Sequence, residues 1–143
     1  MANTINEIWL FPPNWDGSVP DTGGWKKVVK RFTCLSGGDD ETDVVKLDIS
    51  DLRNVDGRAP TRTVIEKIKF SQTGFTSITL NWDRIPKDLI YIISANQGEI
   101  DFTQNGGLAD PGEAGDATGD ILLSSAGSDA GDVYDITLSV RLK

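Results

Sequence analysis

Apolar residues in this chain recur at a period of two rather than near 3.6, and every run that carries them is short. The final segment, VYDITLSVRLK (133–143), alternates without a fault: Ile136, Leu138, Val140 and Leu142 fall on one side, Thr137, Ser139, Arg141 and Lys143 on the other. Successive side chains of a strand point to opposite faces, so this segment buries one face and wets the other. Other strand-like segments are INEIWLF (5–11), WKKVVKRFTCL (25–35), DVVKLDI (43–49), TVIEKIKF (63–70), FTSITLNWD (75–83), DLIYIIS (88–94), which is apolar enough to be a central strand, EIDF (99–102) and GDILLSS (119–125). Turn-forming Gly, Pro, Asn and Asp separate most of them. A helix over 63–70 competes with a strand there, and the β-branched content of the stretch favours the strand.

Eight or nine short strands, with no convincing amphipathic helix, specify an all-β fold: a single-domain β-sandwich over residues 1–143, jelly-roll-like, with long loops at 12–24, 50–61 and 104–119. Shared phase predicts which side chains face inward. Val28, Phe32 and Cys34 form one set; Val45, Leu47 and Ile49 a second; Val64, Ile68 and Phe70 a third, with Glu66 as its exception; Ile78, Leu80 and Trp82 a fourth. Short connections predict two hairpins, one joining 25–35 to 43–49 and one joining the last two strands.

Several function classes fall away on residue content. The chain has no histidine, which removes Ser-His and Cys-His catalysis and the commonest metal ligand. Cys34 is the sole cysteine, so no intramolecular disulfide forms and a buried structural thiol is expected. No apolar run reaches the roughly 20 residues of a membrane-spanning helix, and the start MANTINEIWLF lacks a signal-peptide pattern. The expectation is a protein made in a cytoplasm, with no membrane, no direct nucleic acid and no cofactor among its partners.

The charge is uneven. Residues 1–96 carry 12 basic and 13 acidic groups, and 97–143 carry 2 and 9, so the two parts hold −1 and −7 of the net −8. Like charge costs free energy at a contact and aids solubility in water, so the acidic third, including Asp110 and Asp116, is expected to face outward. The dense basic run Lys26, Lys27, Lys30 and Arg31 is the candidate contact with an acidic partner surface. Asp39, Asp40, Glu41 and Asp43, and the carboxylates of 110–120, match no calcium-loop pattern and are expected to be solvated turns. Trp82 shares the phase of the core. Trp15, in a Pro-Gly loop, and Trp25 are the candidate exposed aromatic contacts.

Two segments together carry a family resemblance. RTVIEKIKFSQTGFTSITLNWD places a Gly74-Phe75 turn before a strand ending in Trp82-Asp83. IDFTQNGGLADPGEAGDATGDILLSSAGSDAGDVYDITLSVRLK follows with an IDF strand, a GGL loop, a GDILLS strand and an alternating basic end. This order resembles a group of small tailed-bacteriophage virion proteins, described as structural or capsid decoration proteins, over about residues 62–143. The resemblance implies a non-enzymatic capsid decoration (cement) protein on the virion surface. Its partners would be the major capsid protein and further copies of itself, as a homo-oligomer with a trimer favoured. A neck, tail or head-fibre component is the alternative within a virion. A carbohydrate-binding module using Trp15 or Trp25 is the alternative from another class.

Overall fold

A computed structural model describes residues 3–13, 15–20, 23–84, 86–111 and 118–143. Ten strands are formed among them: β1 (Thr4–Phe11), β2 (Lys27–Leu35), β3 (Val44–Leu47), β4 (Thr63–Thr73), β5 (Ser77–Trp82), β6 (Asp88–Ile93), β7 (Gln97–Asp101), β8 (Leu108–Ala109), β9 (Ile121–Ala126) and β10 (Val133–Leu142). Nine of these lie where the sequence places strand-like segments. The tenth, β8, is a two-residue strand inside the stretch expected to be loop. Among the described residues only two single 3-10 turns, Ile49–Asp51 and Thr103–Asn105, are helical, and no helix is long and apolar enough to cross a membrane.

The strands form two antiparallel sheets, a β-sandwich. One runs β1-β2-β10-β4-β7, with β8 pairing β4 beside β7; the other runs β3-β9-β5-β6. Their inner faces share one core that includes Phe32, Leu47, Ile68, Leu80, Trp82, Leu123 and Leu138, all at most 2% exposed. Cys34 belongs to the same core, and Trp82 is buried as its phase predicts.

Neither expected hairpin forms. β2 is flanked by β1 and β10, whereas β3 pairs β9 in the other sheet. β9 and β10 also lie in different sheets, although only residues 127–132 join them. Each of these connections is an arch from one layer to the other. The physical reason is burial: crossing lets both apolar strands cover the same core, whereas a hairpin would place them side by side in one layer. β10 still obtains two partners, β2 and β4, and becomes a central strand.

Two bulges shift the predicted phases. In β4, Ser139 opposes Lys67 and Val140 opposes Ile65, which leaves Glu66 as the extra residue. A bulge moves every residue beyond it to the other face. Ile65, Ile68 and Phe70 therefore share the core, and Val64 faces away from it. Val64 is still buried, because Gly107 passes so close that a Cβ there would stand 2.3 Å from Val64 Cγ1. In β3, the irregularity between Val45 and Leu47 leaves Val45 43% exposed and turns Lys46 into the interior, 1% exposed.

Candidate docking surface

The pleat of β2 divides the basic run. Lys30 shares the inward phase of Val28 and Phe32 at the margin between the sheets. Its Nζ donates to the Lys46 carbonyl at 2.6 Å, pairs with Glu7 at 2.8 Å and lies 5.1 Å from the Trp9 ring centroid. Arg31 faces the outside and forms a two-point bond to Asp135, Nε to Oδ1 at 3.0 Å and Nη2 to Oδ2 at 2.6 Å. Lys27 stands 3.7 Å from Glu66, and Lys26 is exposed just before the strand. Lys27 and Arg31 share the outer face of β2, Lys30 faces inward, and of the four only Lys26 and Lys27 line one groove.

The groove, of about 550 Å³, has an apolar floor of Phe11, Trp25, Val29 and Val55 and a rim that includes Lys26 and Lys27. Two of the predicted long loops build it together. The Gly24 N–H donates to the Asn54 carbonyl at 2.6 Å and Trp25 N–H to Arg53 at 2.9 Å, which zips 23–25 against 53–54. A Cβ on Gly24 would stand 1.9 Å from the Arg53 carbonyl oxygen, so this approach requires glycine.

Trp15 and Trp25 are half-buried rather than exposed. Trp15 packs between Trp9, ring centroids 4.4 Å apart, and Trp25, at 4.9 Å, and its Nε1–H donates to the Ser18 carbonyl at 2.8 Å. A Pro- and Gly-rich loop has no regular ladder to hold it, and three indole rings attach this one to the sandwich. Rings that pack on each other offer less open face for a sugar to stack on.

The groove continues into β1, an edge strand bonded to β2 on one side only. Ile8, Leu10 and Phe11 are 55%, 46% and 44% exposed. A second exposed apolar pair, Leu89 and Ile92 at 57% and 48%, lies on β6, which is an edge of the other sheet and not the central strand that its apolar run predicts. β2 lies across from β3, where Lys30 reaches Lys46, and β4 reaches β6, where Phe70 packs on Tyr91 with centroids 6.1 Å apart. β1 and β6 therefore mark opposite margins of the sandwich.

The acidic third does not simply face outward. Asp110 is 1% exposed and ion-paired with Arg84, which also reaches Asp88 at 3.2 Å, and the Asp110 N–H donates to the Thr63 carbonyl at 3.0 Å. This pair ties the loop after β8 to the turn after β5. Glu113 and Asp116 lie outside the described residues. Asp120 is half-buried, accepts from the Ile49 N–H at 3.0 Å, and is raised above the usual carboxylate range by burial, with Asp48 and Asp83 adding repulsion.

The acidic turn before β3 is likewise structural in part. Asp40 accepts from Ser125 Oγ and Ser128 N–H at 3.1 and 3.0 Å. Asp43 pairs with Lys87 at 2.8 Å, and that bond holds its carboxyl below the ordinary range. Glu41 is buried, accepts from the Tyr134 hydroxyl and pairs with Lys46 Nζ at 2.8 Å. Lys46 Nζ also lies 5.6 Å from the Phe32 ring centroid. Burial, and next the Glu41 charge, push the neighbouring Cys34 thiol up to about 11, an inert thiol at neutral pH. Alternation alone placed Lys46 on a wet face; the β3 irregularity that buries it has no local signal in VVKL. Among the described residues no three acidic or thiol groups gather as metal ligands.

Comparison of the chain with known protein families, curated proteins and solved structures finds no match.

Proposed function

We propose that this protein is a non-enzymatic structural component of a tailed-phage virion, attached as a capsid decoration protein to the assembled shell. The observation that carries the reading is the pair of apolar edge strands, β1 and β6, at opposite margins of one small sandwich. Exposed sheet edges are sites of association, and a domain with one at each margin is suited to bridge two neighbours. A cement protein needs that bivalence. It binds the major capsid protein on one side and another subunit on the other.

The winding supports the same reading. The orders β2-β10-β4-β7 and β3-β9-β5-β6, with the chain crossing between sheets at β2 to β3, β3 to β4, β4 to β5, β6 to β7, β8 to β9 and β9 to β10, support a jelly-roll reading of the sandwich. That fold recurs in viral shell proteins, and the sequence resemblance over 62–143 points to the same setting. Fold alone does not assign a role, so placement on the particle is the test.

The measurement is the copy number of the chain in purified virions, together with binding of the purified protein to undecorated shells. A shell-wide stoichiometry and a higher disruption temperature of the decorated shell are expected. A handful of copies per particle would assign the chain to the neck, tail or head fibre instead.

A further inference from the structure

We infer that the open edge of β1 pairs with β1 of a second copy of this chain, antiparallel, to form a two-fold dimer. The inference stands on β1 and its ends, and holds whatever particle the chain belongs to.

β1 is the longest edge strand among the described residues, and its register is irregular only near one end, between Trp9 and Phe11. Native edge strands are ordinarily kept apart by outward charge, proline or very short length. β7 carries Glu99 and Asp101, within 3.4 and 4.0 Å of Lys67, and β3 has four residues. β1 has eight, and its single charge, Glu7, is taken by Lys30. Ile8, near its middle, is more than half exposed.

The two ends of β1 carry opposite charge, which selects a second copy as the occupant. At the Thr4 end, Asn3 Nδ2 donates to the Asp39 carbonyl and Asn3 Oδ1 accepts from Gly37 N–H, both at 3.0 Å, so the acidic turn with exposed Asp39 is fixed beside the strand. At the Phe11 end stand Lys26 and Lys27, on the rim of the groove that Phe11 lines. Antiparallel pairing brings the Thr4 end of one copy to the Phe11 end of the other. Each junction then sets Asp39 against Lys26 and Lys27, and two-fold symmetry repeats the match. Ile8 meets its symmetry mate near the axis, and the main chain gains a ladder roughly 27 Å long. This contact is two-fold, in place of the threefold arrangement that the family resemblance implies.

Sedimentation of the full chain at micromolar concentration tests the pairing. A species of twice 15.5 kDa is expected. Ile8→Lys puts a charge on the axis and should weaken the dimer about ten-fold or more, with the fold retained by circular dichroism. Lys26→Glu with Lys27→Glu should weaken it as well, and adding Asp39→Lys should restore it, a rescue that only self-pairing predicts. Amide exchange along β1 should be slower in the wild type than in Ile8→Lys. A 15.5 kDa species throughout, a threefold mass, or a dimer indifferent to Ile8→Lys would overturn the inference. So would Lys26/Lys27 variants that keep the solution mass yet lose binding to undecorated shells, because the groove would then belong to the capsid protein. A dimer that passes these tests but is absent from the shell would overturn the decoration reading and leave this one standing.

Discussion

The first and last strands of the chain are both rich in apolar residues and end in opposite environments. β10 lies between β2 and β4, and its Ile136, Leu138, Val140 and Leu142 are at most 6% exposed. β1 lies at the margin with one partner. Ile5 and Trp9 lean against the core, while Ile8 and Leu10 stay in water. The ion pairs nearby differ in the same way: Tyr134 of β10 bonds the buried Glu41 of the Lys46 pair, whereas Glu7 of β1 is 40% exposed where it meets Lys30. Alternation says which side of a strand is apolar. It does not say how many neighbours cover that side, and the number of neighbours separates a core strand from a docking strand.

The largest break of this contrast is removal of residues 136–143. It deletes four buried apolar side chains, each worth roughly 1.5–3 kcal/mol, against a total stability of roughly 5–15 kcal/mol. Loss of cooperative unfolding is expected in chemical denaturation. A truncated chain that stays soluble and unfolds in one sharp transition would show that β10 is not central.

Next come the two ion pairs. Glu41→Gln leaves Lys46 charged and buried, and should cost about 3–5 kcal/mol. Glu7→Gln, at a partly exposed pair, should cost about 1 kcal/mol or less. The double replacement Glu41→Leu with Lys46→Met should recover most of the first loss, because neither partner is then left charged and alone. Equal costs for Glu41→Gln and Glu7→Gln in urea unfolding would erase the distinction between the two regions.

Single apolar truncations sharpen it further. Leu138→Ala in β10 should cost about 2–5 kcal/mol, and Ile8→Ala in β1 about 0.5 kcal/mol or less when measured on the monomer. The smallest effect is at Asp120, which leads into β9, a central strand of the other sheet. Its folded pKa is raised, so its contribution to stability is fully present below the ordinary carboxylate range and is lost as pH rises through the folded value. Asp120→Asn keeps an oxygen to accept from Ile49 and carries no charge. It should therefore be slightly more stable than wild type near neutral pH, with the gain vanishing in acid. Thermal unfolding that shows the reverse trend would mean the ionised Asp120 is stabilising.

The candidate surface was legible only in pieces. Lys26 and Lys27 stand out in WKKVVKR, but the same run promised Lys30 and Arg31, which the pleat sends to Glu7 and Asp135. Trp25 was visible as an aromatic beside breakers. Its groove partners Phe11 and Val55 come from segments separated by more than a dozen residues on either side, and no local pattern joins them. Asp110 looked like solvated loop because its counter-charge, Arg84, is supplied from another turn.

What the sequence by itself determined is the set of strands other than β8 and, away from the bulges, the inner side of most of them. Period two is a local property, read within five or six residues, which is why β10, Trp82 and Cys34 are placed correctly from their neighbours alone. Tertiary structure decided which strands meet. The arches from β2 to β3 and from β9 to β10, the bulges that bury Lys46 and turn Val64 away from the core, the zipping of 23–25 onto 53–54, and the marginal position of β1 all depend on residues far apart in the chain. Their physical reason is common to all: two sheets bury one core only when their inner faces are matched across the whole molecule, and no single stretch contains that condition.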